Sequence, residues 1–301
     1  MTIASGSRHR LAYIAEVTYG TTPSTPAFDP LRITSTTLNL TKDAVTSEEI
    51  RSDRQIVQFR HGNKQIGGDI SAELSDGDFD DLLQAALCGT WATNVLKAGT
   101  TRRSFTMERY FADIGKYLRY TGVEVNSVSF KISPNAMIGV TFGLIGKDMS
   151  VASSAISGAT YAADTTTAQF DSFTATIQEG GSAIALITEM EIKLENGIEP
   201  QFVVGSSTTV RPSIGRSNVT GSLTAYFEDE SLMNKFVNET ESSISILLTD
   251  PAANTLQIDL GTIKYTTGAP DVSGEGSVTV KMDFQAIYDT SDASNIVITR
   301  G

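Results

Sequence analysis

One cysteine, Cys88, and two histidines, His9 and His61, are all that this 301-residue chain offers of the residue types that build the commonest metal and acid–base sites. A lone cysteine excludes an intrachain disulfide and any cysteine-based zinc cluster. Two histidines leave little for histidine-driven catalysis. Long apolar runs are missing too, and no window approaches the roughly 18 apolar residues of a membrane helix. Near the start, Leu11 to Ala15 are stopped by Glu16, a run too short for a signal-peptide core. The expectation is therefore a soluble protein made in a reducing compartment, and the triplets beginning at Asn39, Asn218 and Asn238 read as chance matches to the glycosylation pattern. Basic residues are scarce: 23 stand against 35 acidic ones, a net charge of −12. Tight wrapping of nucleic acid needs phosphate-neutralising Lys and Arg, so that class is disfavoured.

What the chain does have is alternation. Val128-Ser129-Phe130-Lys131-Ile132, Ile192-Lys193-Leu194 and Val278 through Phe284 place apolar and polar residues at period two. Such segments form antiparallel sheet with one face on a core and the other on solvent or a neighbour. Ser273-Gly274-Glu275-Gly276-Ser277 precedes a strand rather than a helix, which makes it a turn and not a phosphate cradle. Two stretches read as helices. Phe79, Leu82, Leu83, Ala86 and Leu87 form one apolar stripe, preceded by Asp76, Asp78, Asp80 and Asp81, which suit a cap and the helix dipole. Leu232, Met233, Phe236 and Val237 form the second. Trp91, just past the first helix, is expected to be buried.

These helices align at an offset of 153 residues: Gly68 to Asp76 falls on Gly221 to Asp229, and Leu83 on Phe236. Leu38-Asn39-Leu40 meets Ile192-Lys193-Leu194, and Ile138 to Leu144 meets Val278 to Phe284. The shared order of elements reads as a duplication. Charge divides unequally between the halves. Residues 1–150 hold 16 basic and 16 acidic side chains, and residues 151–301 hold 7 and 19. Ser150 to Gln169 is mostly Ser, Ala, Thr and Gly, a linker or extended arm.

No segment completes a familiar catalytic or metal-binding pattern. Asp76 to Asp81 fails as a calcium loop, since the sixth and twelfth positions from Asp76 are Asp81 and Leu87 rather than Gly and Glu. His9 lies in a polar tail and His61 in a basic turn. Paired carboxylates of a glycosidase stay open as a reading, although the acidic residues fall on caps, turns and strand faces. No catalytic residue, cofactor or metal ligand is expected. The densest charge lies in residues 42–64, too long for a hairpin turn and therefore a candidate docking surface between subunits.

The stretch Tyr13-Ile14-Ala15-Glu16-Val17-Thr18-Tyr19-Gly20-Thr21-Thr22-Pro23 resembles the opening of the major tail tube proteins of long-tailed, siphovirus-type bacteriophages. Glu49-Ile50-Arg51-Ser52-Asp53-Arg54-Gln55, Gly67 to Leu74 and the helix ending Leu82 to Leu87 are similar to that family as well. The resemblance covers about residues 11–90. It implies a mainly β fold of β-sandwich or half-barrel domains, each flanked by one helix, here two in tandem: an N-terminal arm over 1–32, a tube domain over 33–148, a linker over 149–170 and a second tube domain over 171–301. It implies a non-enzymatic virion protein, made in the host bacterial cytoplasm, whose rings stack into a conduit for DNA ejection. Three duplicated chains would complete a pseudo-hexameric ring.

The family's inter-ring loop maps onto residues 42–64 and about 197–216. That assigns inter-ring contacts to Glu48, Glu49, Arg51, Asp53, Arg54, Arg60, Lys64, Arg211 and Arg216. Further copies of the chain, a tape-measure protein and tail-end proteins are the implied partners, with DNA passing unbound and no membrane involved. The excess acidity of the second half is expected to face the lumen. Another self-assembling β-sandwich protein of a surface or virion, or a glycan-binding tail module, would share much of this composition.

Overall fold

The computed structural model describes residues 3–301 other than Ala185 and Ser273. The first half runs β1 (His9–Ala15), β2 (Ala27–Leu31), β3 (Ser35–Thr36), β4 (Asn39–Thr46), β5 (Phe59–Glu73), α1 (Asp80–Leu87), β6 (Val95–Lys97), β7 (Phe105–Phe111), β8 (Lys116–Ile132) and β9 (Gly139–Gly146). After β10 (Asp148–Ala152) and β11 (Thr160–Tyr161), the second half runs β12 (Thr176–Glu179), β13 (Ser182–Ala183), β14 (Ile187–Glu195), β15 (Asn218–Tyr226), α2 (Ser231–Val237), β16 (Ser242–Thr249), β17 (Thr255–Tyr265), β18 (Ala269–Asp271), β19 (Thr279–Ile287) and β20 (Val297–Arg300). The fold is mainly β, as the period-two alternation requires.

One antiparallel sheet crosses both halves. Its order is β3 with β4, then β5, β9, β8, β14, β15, β19, and finally β17 with β18. The seam lies between β8 and β14, where Phe130 pairs with Ile192 and Val128 with Leu194. Alternation is clean along these strands: β9 reads Val140, Phe142 and Leu144 buried between half-exposed Gly139, Thr141 and Gly143. One face of the sheet therefore carries the core, and the other is polar.

A second layer covers the core face of each half. In the first half β2, β1, β7 and the start of β8 form it together with β10. The long strand β8 belongs to both layers, pairing through Lys116–Val123 with β7 and through Glu124–Lys131 with β9. β17 repeats this in the second half, pairing with β16 through Thr255–Leu260 and with β19 through Thr262–Tyr265. The halves are also laced together at the carboxyl end. β20 lies between β17 and β6, so the extra residues after α1 extend the second half's layer.

Helix α1 buries Leu82, Leu83, Ala86 and Leu87, and Phe79 stacks on Phe142 with ring centroids 5.8 Å apart. Burying four such side chains is worth on the order of 6–10 kcal/mol before ordering costs. Asp80 and Asp81 occupy its first turn, where negative charge suits the dipole. The expected acidic cap is corrected: the cap position is Phe79 with no side-chain bond, and Asp78 instead accepts from Arg32 Nε at 3.0 Å. The second stripe is corrected too. Leu232 and Phe236 pack on the core only in part, and Val237 is 68% exposed. Trp91 is partly buried, with Arg300 stacked 4.6 Å from its ring.

The serine- and threonine-rich stretch between the halves lies on the first half rather than spanning free space. β11 pairs in parallel with β2, and Tyr161 stacks on Phe28 at 5.5 Å while donating to buried Glu108 at 2.6 Å. Phe170, fully buried, then closes a backbone triangle. Its N–H donates to the Leu74 carbonyl at 2.9 Å, its carbonyl accepts from Ile138 at 2.9 Å, and Leu74 donates to Ile138 at 2.8 Å.

Candidate functional site

The polar face of the joined sheet is the largest functional candidate, because it is continuous across both halves. Period-two spacing puts Asp69, Ser71 and Glu73 of β5 on it, with Thr141 and Gly143 of β9 and Ser127, Ser129 and Lys131 of β8. The second half adds Glu189, Glu191, Lys193 and Glu195 of β14, Thr220, Ser222 and Thr224 of β15, and Lys281, Asp283 and Gln285 of β19. Three acid–base pairs are made on this face: Lys131 with Glu189 at 3.0 Å, Lys193 with Glu195 at 2.6 Å and Lys281 with Asp283 at 3.8 Å. Asp69, Glu73 and Glu191 make no ion pair among the described residues, so the face keeps a modest negative excess. Its remaining side chains are short and uncharged. A surface of this chemistry offers phosphate neither a cation cluster nor an aromatic platform.

The loop expected over residues 42–64 is a projecting hairpin. β4 and β5 stay paired as far as Thr46 and Phe59, beyond the edge of the sheet. Its tip carries Glu48, Glu49, Arg51, Asp53 and Arg54, all exposed, and Arg51 is held 2.7 Å from Asp53. That bond lowers the Asp53 carboxyl below its ordinary range, with backbone bonding as a lesser cause. Arg54 adopts a left-handed backbone with φ of 59° at the turn. Arg60 is exposed on β5. The charge pattern did not signal what lies between these residues: Val45, Ile50, Ile56, Val57 and Phe59 expose roughly half or more of their surface. Their legible trace was the apolar spacing inside a charged segment, which the charges masked.

Other expected site residues are engaged within the chain. Lys64 reaches Asp148 at 2.7 Å, and its N–H donates to the Ser207 carbonyl at 2.7 Å, which brings the second long loop onto the base of the hairpin. Arg211 places Nε 2.8 Å from Glu124, whose carboxylate is buried and also takes Arg102. Arg216 is exposed just before β15. Beside this cluster Tyr19 lies 5.4 Å from the Arg211 guanidinium, and its phenol is pushed up to about 12 by burial first and then by Glu124 and Glu16. Glu16, from the opening motif, accepts from Gly20, Ser104, Thr106 and Gly122 at 2.7–2.9 Å, so it orders the turn that presents Tyr19.

Among the described residues no group of three or more His, Cys, Asp or Glu is placed to hold a metal ion, and no helix is long and apolar enough to cross a membrane. Cys88 is buried, and burial raises its thiol pKa. The pockets along the joined sheet are shallow, such as the 380 Å³ depression beside Glu191, Lys193 and Asp283.

Comparison with curated proteins finds no match. The phage tail tube protein family matches residues 6–286, nearly the whole chain, and the chain belongs to that family.

Proposed function

We propose that this structural tail tube subunit closes into rings of three chains, which stack into a conduit for DNA. Family membership points to the virion tail and to self-assembly within it. The observation that carries the finer reading is the joined sheet, with the same strand order on each side of the β8–β14 seam. Each half supplies a four-stranded segment, so the domain reading is of two tube domains per chain, and three chains would bring six segments to a ring. Closing such a sheet into a barrel removes its open edges, which otherwise invite indiscriminate pairing.

In this reading the polar face lines the lumen. Its negative excess repels phosphate, and its short Ser, Thr and Gly side chains give the DNA nothing to grip. With their lysines counted, Glu189, Glu191, Glu195, Asp283, Lys193 and Lys281 give the second half a net −2 on this face and Asp69, Glu73 and Lys131 give the first −1, a small difference in the direction of the expectation that the acidic half supplies more of the lumen charge. The hairpin tip, with Glu48 to Arg54 and its exposed apolar residues, is the inter-ring contact. Lys64 and Arg211, bonded to Asp148 and Glu124, hold the two long loops in place at the base of that contact.

Negative-stain microscopy of the purified protein across a concentration series tests this. End-on views with threefold symmetry and six lobes are expected. Sixfold rings of whole chains would overturn the trimer and keep the tube, and a monomer at every concentration would count against self-driven assembly.

A further inference from the structure

The seam inside the chain specifies the seam between chains, given the ring reading above. Within the chain, Ile132 pairs with Met190, Phe130 with Ile192 and Val128 with Leu194. The two outer edges of the sheet are built from the equivalent strands, each lacking that neighbour. Pro270 of β18 lies opposite Val280 as Phe130 lies opposite Val140. At the other end, Leu40 lies opposite Ile66 as Leu194 lies opposite Val219, and Thr36 lies opposite Ile70 as Met190 lies opposite Leu223. Among the described residues β18 pairs only with β19, β3 only with β5 and β4 only with β5.

Side chains at the open end bear the mark of the missing partner. Val272 is 70% exposed, whereas its counterpart Ile132, covered by β14, is 7% exposed. A second vacancy lies close by. Phe227 donates to the Val278 carbonyl at 2.9 Å, as Leu74 does to Ile138, but among the described residues none bonds both backbones there as Phe170 bonds Leu74 and Ile138. Phe227 is 38% exposed where Leu74 is fully buried. A cleft of about 450 Å³ opens beside it, lined by Leu186, Tyr226, Phe227 and Leu232 among others.

We infer that residues 267–272 of one chain pair antiparallel with residues 36–41 of the next, with Ala269 opposite Asn39, Pro270 opposite Leu38 and Gly268 opposite Leu40. This register follows from carrying the internal pairing across to the equivalent strands. It keeps both faces in phase. Leu38 and Pro270 fall on the core side, while Asn39 and Ala269 fall on the polar side, opposite Gly67 and Lys281. A slip of one residue would set apolar against polar along the whole seam.

The next chain also fills the vacancy beside Phe227. β1 lies against β7 as β12 lies against β16, and Leu11 opposite Arg109 answers to Ile177 opposite Ile246, which sets Ala4, with Ile3 next to it, at the place of Phe170. Ile3, 86% exposed in the isolated chain, and Ala4 are thus the residues that reach the Phe227 slot of the preceding chain.

Disulfide trapping tests the register. Directly opposed residues hold their Cβ atoms about 4.5–5.5 Å apart, within disulfide reach, while diagonal neighbours are about 7–8 Å apart. Under mild oxidation the double variant Ala269→Cys/Asn39→Cys is expected to give covalent dimers and closed trimers in assembled rings. Ala269→Cys/Thr41→Cys is the slipped control and is expected to give several-fold less. Rings that cross-link only in the slipped pair would overturn the register and leave the tube reading standing. Failure of both variants and of the unmodified protein to associate, measured by light scattering, would overturn the ring reading and the seam together. Ile3→Asp is expected to raise the concentration needed for ring formation by about tenfold or more, from setting a carboxylate against Leu186, Phe227 and Leu232 in a cleft that already holds Glu228 and Asp229. An unchanged threshold would remove the arm from the interface.

Discussion

Arg211, in the long loop of the second half, sets its Nε 2.8 Å from the buried carboxylate of Glu124 on β8 of the first. The two loops that project from the sheet are therefore not independent. One is clamped at Glu124, and its Ser207 carbonyl takes the N–H of Lys64 at the root of the other. The root of the hairpin is thus tied, through the second long loop, to Glu124 on β8.

Glu124→Gln is expected to cost about 2 kcal/mol, the scale of lost charge-assisted hydrogen bonds at a buried group. Arg211 is 41% exposed along its side chain and recovers water, whereas Arg102, at 18%, recovers less. Thermal melts should show the loss, and limited proteolysis should cut first within residues 197–216. A variant as resistant as the parent would show that the clamp does not hold the loop.

Phe170→Ala removes a fully buried ring from the triangle with Leu74 and Ile138. A loss of about 3–5 kcal/mol is expected in denaturant unfolding. Retention of parental stability would mean that the stretch between the halves is not part of the first half's core.

Charge reversal of the hairpin tip separates folding from stacking. Arg51→Glu/Arg54→Glu alters exposed residues, so stability should stay within about 0.5 kcal/mol of the parent. Rings are expected to form while tubes do not, scored by particle length in micrographs. Tubes of parental length would exclude the tip arginines from the inter-ring contact.

Alkaline pH should loosen the fold in a defined window. Tyr19 is raised to about 12, and Tyr13, Tyr161 and Tyr265 are raised as well, each chiefly by burial and then by a neighbouring carboxylate. A phenol whose folded pKa exceeds its unfolded value of about 10 contributes stability that is complete below pH 10 and lost as pH rises through the folded pKa. Unfolding midpoints should hold up to about pH 10 and fall between about 10 and 12, with phenolate absorbance rising as the fold opens. Tyr19→Phe should flatten the early part of that fall.

The strands were legible because their signal is local. In β9 and β19 burial alternates residue by residue, and the sequence alternates with it. α1 was legible for the same reason, since its stripe is complete. α2 shows where a local signal stops: its stripe exists, but only Leu232 and Phe236 find core to cover them. The hairpin tip was read through its charges, which hid the apolar residues between them. Lys64, Arg211 and Glu124 could not be sorted by residue type, because an arginine in a loop looks the same whether it meets solvent, another subunit or a buried carboxylate.

The amino-acid sequence alone determined the β character and the unequal charge of the halves, the first of which depends on residues near one another in the chain and the second on composition alone. Only the tertiary structure decided that the halves share one sheet through Phe130 and Ile192, and that Phe170 is buried against Leu74 and Ile138 while Phe227 is 38% exposed. Those outcomes rest on partners tens of residues or more apart. Hydrogen-bond register and burial at such distances are set by the closing of the whole fold, and no short window of sequence contains them.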